Sequence, residues 1–182
     1  KILDNISSPK EGLIVIKGTE PAVTQKGEKF VSKDGNKDKL LLSLTEQILN
    51  SEFEKITQID LARQAQVDFK IQVQEWKNTL IRGSQGQEAF DKYKKAFVAE
   101  SQNTQTLLTR LSELLPKIGM DNQQVLATRD IHAGLEQKYL AALATYQVGD
   151  PTSAQRVDKQ VTGIDREPTK MIDNVVARTL QH

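Results

Sequence analysis

Two groups of cationic side chains in this sequence could together bind an anion. Lys77 and Arg82 precede one predicted turn of the chain, and Arg156 and Lys159 follow another. If both turns lie at the same end of a helical bundle, these cations come to one level, with few acids nearby. Ammonium and guanidinium groups donate charge-assisted hydrogen bonds, so such a cluster suits a carboxylate or an inorganic anion such as nitrate. A plain solvated surface is the alternative interpretation.

Asn78 lies at the same level as these cations, and Trp76 comes directly before Lys77. Trp76 lies on the apolar seam of its helix. Large aromatic side chains at such positions usually pack in the core. We therefore expect Trp76 to support the site rather than to touch the ligand.

A second set of polar residues falls near the middle of the predicted helices. Counting down from the same end by equal helical rise places Asp68, Lys70, His132 and Arg166 at one height, together with Gln102, Asn103 and Glu167. If these side chains point inward, they form a polar layer. The alternative is a ring of surface residues around one hydrogen-bonded histidine, because buried polar groups need partners.

Composition excludes several kinds of catalytic centre. The chain has no cysteine and two histidines, so it lacks thiol nucleophiles, cysteine-ligated metals and disulfides. No phosphate loop, GxGxxG, GxSxG or HExxH motif occurs. We therefore expect no enzyme, cofactor or metal site, although His132 leaves one candidate haem ligand. A net charge of +1 gives no indication of a nucleic-acid partner.

Glycine and proline divide the chain into long helix-forming stretches. Neither occurs from Lys39 to Arg82, and the remaining breaks predict four helices near 39–83, 87–117, 121–148 and 152–180. Short turns favour an all-α, antiparallel up-down-up-down four-helix bundle with a long first helix. The apolar seam of that helix is predicted at Ile59, Ala62, Gln66, Phe69, Val73, Trp76 and Leu80.

The two ends of the chain carry further expectations. Residues 1–38 predict an irregular strap or a small hairpin, because Leu13–Ile16 is β-prone and Phe30–Ser32 weakly repeats it. Residues 39–182 form the predicted bundle domain. On the fourth helix the apolar residues keep an unbroken heptad-like spacing, and Pro168 within it predicts a kink.

Two motifs resemble those of a known family. Asp68–Asn78 with Leu80–Gly83 is similar to the first-helix signature of periplasmic sensor domains in bacterial methyl-accepting chemotaxis proteins. Ile164–Thr169 resembles the fourth-helix motif that accompanies it. The resemblance covers about residues 55–180.

The resemblance implies the periplasmic domain of an inner-membrane receptor, with membrane spans before and after this chain. It implies a small ligand, such as an organic acid, an amino acid or an inorganic anion, whose binding shifts the fourth helix. Transferred to this sequence, the resemblance implies the ligand-binding residues Trp76, Lys77, Asn78, Arg82 and Arg156. A homodimer is expected because the first helix has a second apolar edge, formed by Leu42, Leu49, Phe53 and Ile56. The alternatives are a sensor domain of a histidine kinase or cyclic-dinucleotide enzyme, and a structural bundle without ligand.

Overall fold

The described part of the chain is helical and contains no strand, which confirms the all-α prediction. The computed structural model describes residues 35–181, with side chains described at residue 39 and from residue 41 onward. The five helices are α1 (Gly35–Arg82), α2 (Gln87–Leu114), α3 (Gln123–Leu143), α4 (Ser153–Gln160) and α5 (Arg166–Gln181). The predicted N-terminal hairpin lies outside the described residues. None of the described helices is long and apolar enough to cross a bilayer.

Helix α1 has 48 residues and begins four residues before its predicted start. The chain divides into two compact units, residues 1–52 and 53–182. The predicted domain boundary at residue 38 stays a prediction. All packing described below belongs to the second unit.

The turn between α1 and α2 depends on two glycines, as the break in the sequence predicts. Gly83 is buried, and a Cβ there would lie 3.0 Å from Cδ2 of Phe90. Gly86 has φ 144°, a backbone conformation that residues with a Cβ rarely adopt. Phe90 in turn stacks on Tyr146, with ring centroids 4.8 Å apart. The first of these glycines permits close packing, and the second permits the turn itself.

Glycine-to-alanine substitutions at two positions should have effects of opposite sign. A Cβ at Gly86 or at Gly134 would meet no atom within 4 Å, so only backbone conformation distinguishes the two positions. Gly86→Ala should lower the free energy of unfolding by about 1–3 kcal/mol because of its strained φ. Gly134→Ala, inside α3, should raise it by about 0.5–1 kcal/mol. Urea unfolding measures both, and two changes of equal sign would contradict the expectation.

The predicted single fourth helix is wrong, because the segment forms two helices. α4 ends at Gln160, and α5 begins at Arg166. Between them Gly163 adopts φ 77°, and the Arg166 side chain lies over it, 3.4 Å from where a Cβ would stand. Pro168 does not kink a continuous helix. It is the third residue of α5, where its missing N–H leaves no intrahelical hydrogen bond unmade.

The core consists of two hydrophobic clusters. The first surrounds Phe69, Trp76, Phe97 and Tyr139, and the second surrounds Leu108. Buried polar residues lie between the two clusters along α2 and α3; they are Ser101, Thr104, Thr128 and His132. On α1 the buried Gln72 lies between Phe69 and Trp76, two members of the first cluster. These residues form a buried polar layer beside the first cluster.

Side-chain hydrogen bonds join the helices at both ends. Gln58 on α1 donates to the Leu114 carbonyl at the end of α2, at 3.3 Å. Gln66 donates to Asp173 of α5, at 2.6 Å. Past the end of α3, the Tyr146 hydroxyl donates to the Leu80 carbonyl near the end of α1, at 3.0 Å. These contacts fix which helix ends are neighbours.

Candidate functional site

A groove lies between the last turns of α1 and the start of α4. It has a volume of about 330 Å³ and is lined by Lys77, Leu80, Ile81, Ala154, Gln155 and Asp158. We call it the α1–α4 groove. The helix register predicted from the sequence brings the same two chain segments together. The groove offers one ammonium group, one amide and one carboxylate against an apolar wall.

Trp76 lies beneath this groove. Its side chain is 2% exposed, and its ring packs 4.3 Å from that of Tyr139 and 6.0 Å from that of Phe97, measured between centroids. The indole N–H points to Asp158 Oδ1 at 3.5 Å. Trp76 therefore supports a residue that lines the groove and does not line it itself.

The other predicted cations are held by different neighbours. The Arg82 guanidinium lies 5.6 Å from the centre of the Tyr93 ring and 3.5 Å from its hydroxyl. Arg156 forms an ion pair with Asp150 at 2.7 Å and also bonds Thr152. Asp158 and Asp150 thus bring acids to an end of the molecule where the sequence predicts mainly cations.

Two neighbouring groups show how these charges are balanced. The Thr152 backbone N–H, the Arg156 guanidinium and the Thr152 hydroxyl all donate to Asp150, and they lower the pKa of its carboxyl to about 2. Asn78 donates to Glu75 at 3.1 Å on its own helix. Of the five predicted ligand-binding residues, Lys77 is the one that lines the groove.

The predicted polar layer is divided between the interior and the surface. Asp68 is buried and accepts a hydrogen bond from Gln64 at 2.6 Å. His132 is fully buried. Lys70 and Arg166 are exposed, as are Gln102, Asn103 and Glu167. Of the seven residues predicted for this layer, Asp68 and His132 are buried and the other five are exposed.

His132 is the centre of a hydrogen-bonded chain that crosses three helices. Its Nε2 lies 2.7 Å from Oε1 of Gln72 on α1, and its Nδ1 lies 2.6 Å from Nε2 of Gln105 on α2. Gln105 also donates to the Arg129 carbonyl at 2.9 Å, which identifies its Nε2 as the donor. Nδ1 therefore accepts and Nε2 carries the proton, an assignment made from the network.

Burial keeps this histidine neutral. Desolvation lowers the pKa of His132 to about 4 from the usual 6.5. Both ring nitrogens already have partners, so His132 offers no free lone pair to a haem iron. Among the described residues no group of acids and histidines is arranged to hold a metal ion.

The two glutamines were not predicted as functional residues. Gln72 is 0% exposed, and its Nε2 has no hydrogen-bond partner in the described part of the chain. The signal that could have found it is its spacing of three from Phe69 and four from Trp76. That spacing places Gln72 on the buried face of α1.

The chain is a partial homologue of a chemotaxis receptor. The methyl-accepting chemotaxis protein CtpH of Pseudomonas aeruginosa is 35% identical to it over 122 residues, which cover 63% of this chain and 20% of the receptor. The chain thus spans about a fifth of the length of this relative. No family model and no solved structure matches the chain.

Similarity to a chemotaxis receptor agrees with the character of the candidate site. The α1–α4 groove presents groups that bind by charge and hydrogen bonding, and the buried His132 lies away from solvent.

Proposed function

We propose that this chain is the ligand-binding sensor domain of a chemotaxis receptor, located in the periplasm and anchored by membrane spans that flank it. The observation that carries the proposal is the 35% identity to a methyl-accepting chemotaxis protein. The all-helical fold and the α1–α4 groove support it. The whole receptor's output, through a cytoplasmic signalling module, is part of the same proposal.

We infer that the helices pack as an antiparallel four-helix bundle in which α4 and α5 together form the fourth member. Support comes from the hydrogen bond that joins Gln58 near one end of the packed part of α1 to the last turn of α2. Gln66 and Trp76 reach Asp173 on α5 and Asp158 on α4, in the reverse order along the chain. Both pairings suit antiparallel neighbours.

The ligand we propose for the α1–α4 groove is a small molecule with an anionic group that accepts hydrogen bonds from Lys77. Gln155 supplies a second polar contact, and Leu80 and Ala154 supply apolar surface. Because Asp158 also lines the groove, a ligand carrying one carboxylate and one amine has complementary charges. A ligand bridging α1 and α4 favours one packing of these helices, and α5 transmits the change.

Ligand binding is tested by thermal denaturation with organic acids, amino acids and nitrate. A ligand should raise the melting temperature in proportion to RT ln(1 + [L]/Kd). Lys77→Gln should weaken binding about tenfold or more, because it removes a charge-assisted hydrogen bond. Lys70→Gln, an exposed lysine on the same helix but outside the groove, is the matched control. If no compound raises the melting temperature, the chain is a structural bundle and the proposal fails.

We also propose a homodimer formed through α1. Phe53, Val67 and Ile81 are 70%, 46% and 69% exposed and stand fourteen residues apart, which is two heptads. Ile56 and Ile71 are 56% and 40% exposed along the same helix. The heptad positions between the first three are Asp60 and Gln74, so the apolar stripe is interrupted, and Ile81 also lines the α1–α4 groove. Exposed apolar residues in heptad register suit a left-handed coiled coil with a second copy.

Charged residues in this stripe should prevent dimer formation. Phe53→Glu combined with Val67→Glu places like charges on both copies at the seam, and the sedimentation coefficient should fall to that of a monomer. Glu54→Gln, at an exposed neighbouring position, is the control. A parent chain that sediments as a monomer at high micromolar concentration would contradict the dimer.

A further inference from the structure

A second groove lies between α1 and α2, in the part of these helices that packs around Leu108. It has a volume of about 520 Å³, within the range of small-molecule sites. Arg63 and Gln64 line it from α1, and Arg110 lines it from α2. We call it the α1–α2 groove. None of its lining residues belongs to the α1–α4 groove.

Its two arginines have no partner in the described part of the chain. Four of the five other guanidinium groups described are engaged: Arg82 with Tyr93, Arg129 with Asp130, Arg156 with Asp150, and Arg178 with Asp121. The fifth, Arg166, lies over Gly163. Within residues 39–181 neither Arg63 nor Arg110 forms an ion pair or a side-chain hydrogen bond. Two free guanidinium groups therefore face one groove from two helices.

The net charge of the residues that line the α1–α2 groove indicates the charge of a suitable ligand. Asp60 also lines it and forms no ion pair in the described structure. Two arginines against one aspartate leave a single positive charge. A monoanion balances this charge, whereas a dianion places excess negative charge beside Asp60. Because guanidinium groups match planar carboxylates with paired hydrogen bonds, a carboxylate is the best fit.

The uncharged residues that line the groove indicate what the rest of the ligand should be. Val67 and Leu107 line the groove and give it an apolar surface, whereas Leu61 in the same wall is 7% exposed. Gln64 is fixed by its 2.6 Å hydrogen bond to the buried Asp68. The groove therefore combines two cationic donors, one oriented amide and an apolar wall.

We propose that the α1–α2 groove binds a small monocarboxylate with an apolar body. The carboxylate accepts hydrogen bonds from Arg63 and Arg110, and the body lies against Val67 and Leu107. This site shares no residue with the α1–α4 groove, so each groove can bind without the other. It shares Val67 with the proposed dimer stripe. It gives the chain a second way to respond to small anions.

Isothermal titration calorimetry of the 182-residue chain with butyrate tests the proposal, with butanol and succinate as comparison compounds. Butyrate should bind more tightly than either, because butanol lacks the charge and succinate has one charge too many. Arg63→Gln and Arg110→Gln should each weaken butyrate binding by tenfold or more. Arg166→Gln, an exposed arginine outside the groove, should change it less than twofold.

Two further variants separate this site from the α1–α4 groove. Asp60→Asn should raise the affinity for succinate relative to butyrate, because it removes the repelling carboxylate. Lys77→Gln should not reproduce the loss of butyrate binding that Arg63→Gln causes. The proposal is overturned if butyrate does not bind, if Arg166→Gln weakens it as much as Arg63→Gln does, or if Lys77→Gln abolishes it. Circular dichroism of each variant confirms that it has folded.

Discussion

Replacing Trp76 with alanine is expected to lower the free energy of unfolding by about 3–5 kcal/mol. The indole is 2% exposed and contacts the rings of Tyr139 and Phe97. Removing it leaves a large cavity in the first core cluster and also removes the contact to Asp158. Equilibrium urea unfolding, followed by circular dichroism at 222 nm, measures the loss.

Two control variants distinguish the stability due to ring packing from the stability due to the indole N–H contact. Trp76→Phe keeps a ring in the core and should cost less than half as much as alanine. Lys77→Ala changes an exposed neighbour and should stay within about 0.5 kcal/mol of the parent chain. A Trp76→Ala variant within 1 kcal/mol of the parent would contradict the buried position.

This result bears on how Trp76 takes part in recognition. If the variant loses ligand binding and stability together, the tryptophan acts through the packing beneath the groove. Lys77→Gln should instead lose binding while keeping stability. Comparing the two variants distinguishes a supporting residue from one that contacts the ligand.

The helices could be predicted from the sequence because their boundaries depend on local chemistry. The Gly83–Gly86 turn requires a positive φ at Gly86, and a Cβ at Gly83 would crowd Phe90. Such requirements are visible in a single sequence. The break at Gly163 also depends on a glycine with positive φ, but the apolar pattern of the sequence hides this break. Val157 and Val161 pack in one cluster with Ile172 across the break, so the apolar spacing continues through it.

The buried face of α1 was harder to predict because polar residues occupy part of it. An apolar pattern selects Ile59 and Val73, yet the structure buries Gln58 and Gln72 more deeply. Adjacent helical residues point about 100° apart, so a shift of one residue rotates the predicted face toward solvent. Hydrophobicity alone cannot identify a glutamine that is buried because a histidine binds it.

At the candidate site, the sequence predicted which helix segments are neighbours but not which side chains pair. Counting residues from the turns predicted the end of α1 beside the start of α4. This count works because every α-helix rises by the same distance per residue. Which acid or ring each cation contacts depends on the length and rotamer of its side chain, and helix register carries no information about either. Asp150 binds Arg156 through a turn of the chain, and Tyr93 binds Arg82 from the next helix.

Acidification is expected to destabilise the chain through His132. The pKa of this residue is about 4 in the folded protein and 6.5 when exposed to water. Between these values the unfolded state binds more protons than the folded state, so stability falls as the pH falls. The loss through this residue starts near pH 6.5 and reaches about 3 kcal/mol near pH 4, below which it no longer grows.

Urea unfolding of the parent chain and of His132→Gln between pH 7 and pH 4 measures this effect. The variant should be less stable at pH 7, because glutamine fills the site imperfectly, but the gap between the two chains should narrow on acidification. Asp150 does not interfere, since its pKa is lowered to about 2 and its contribution is lost only at lower pH. Surface carboxylates titrate alike in both chains and cancel in the difference. Parallel pH profiles would show that His132 is free to protonate in the folded protein, contrary to its buried bonds with Gln72 and Gln105.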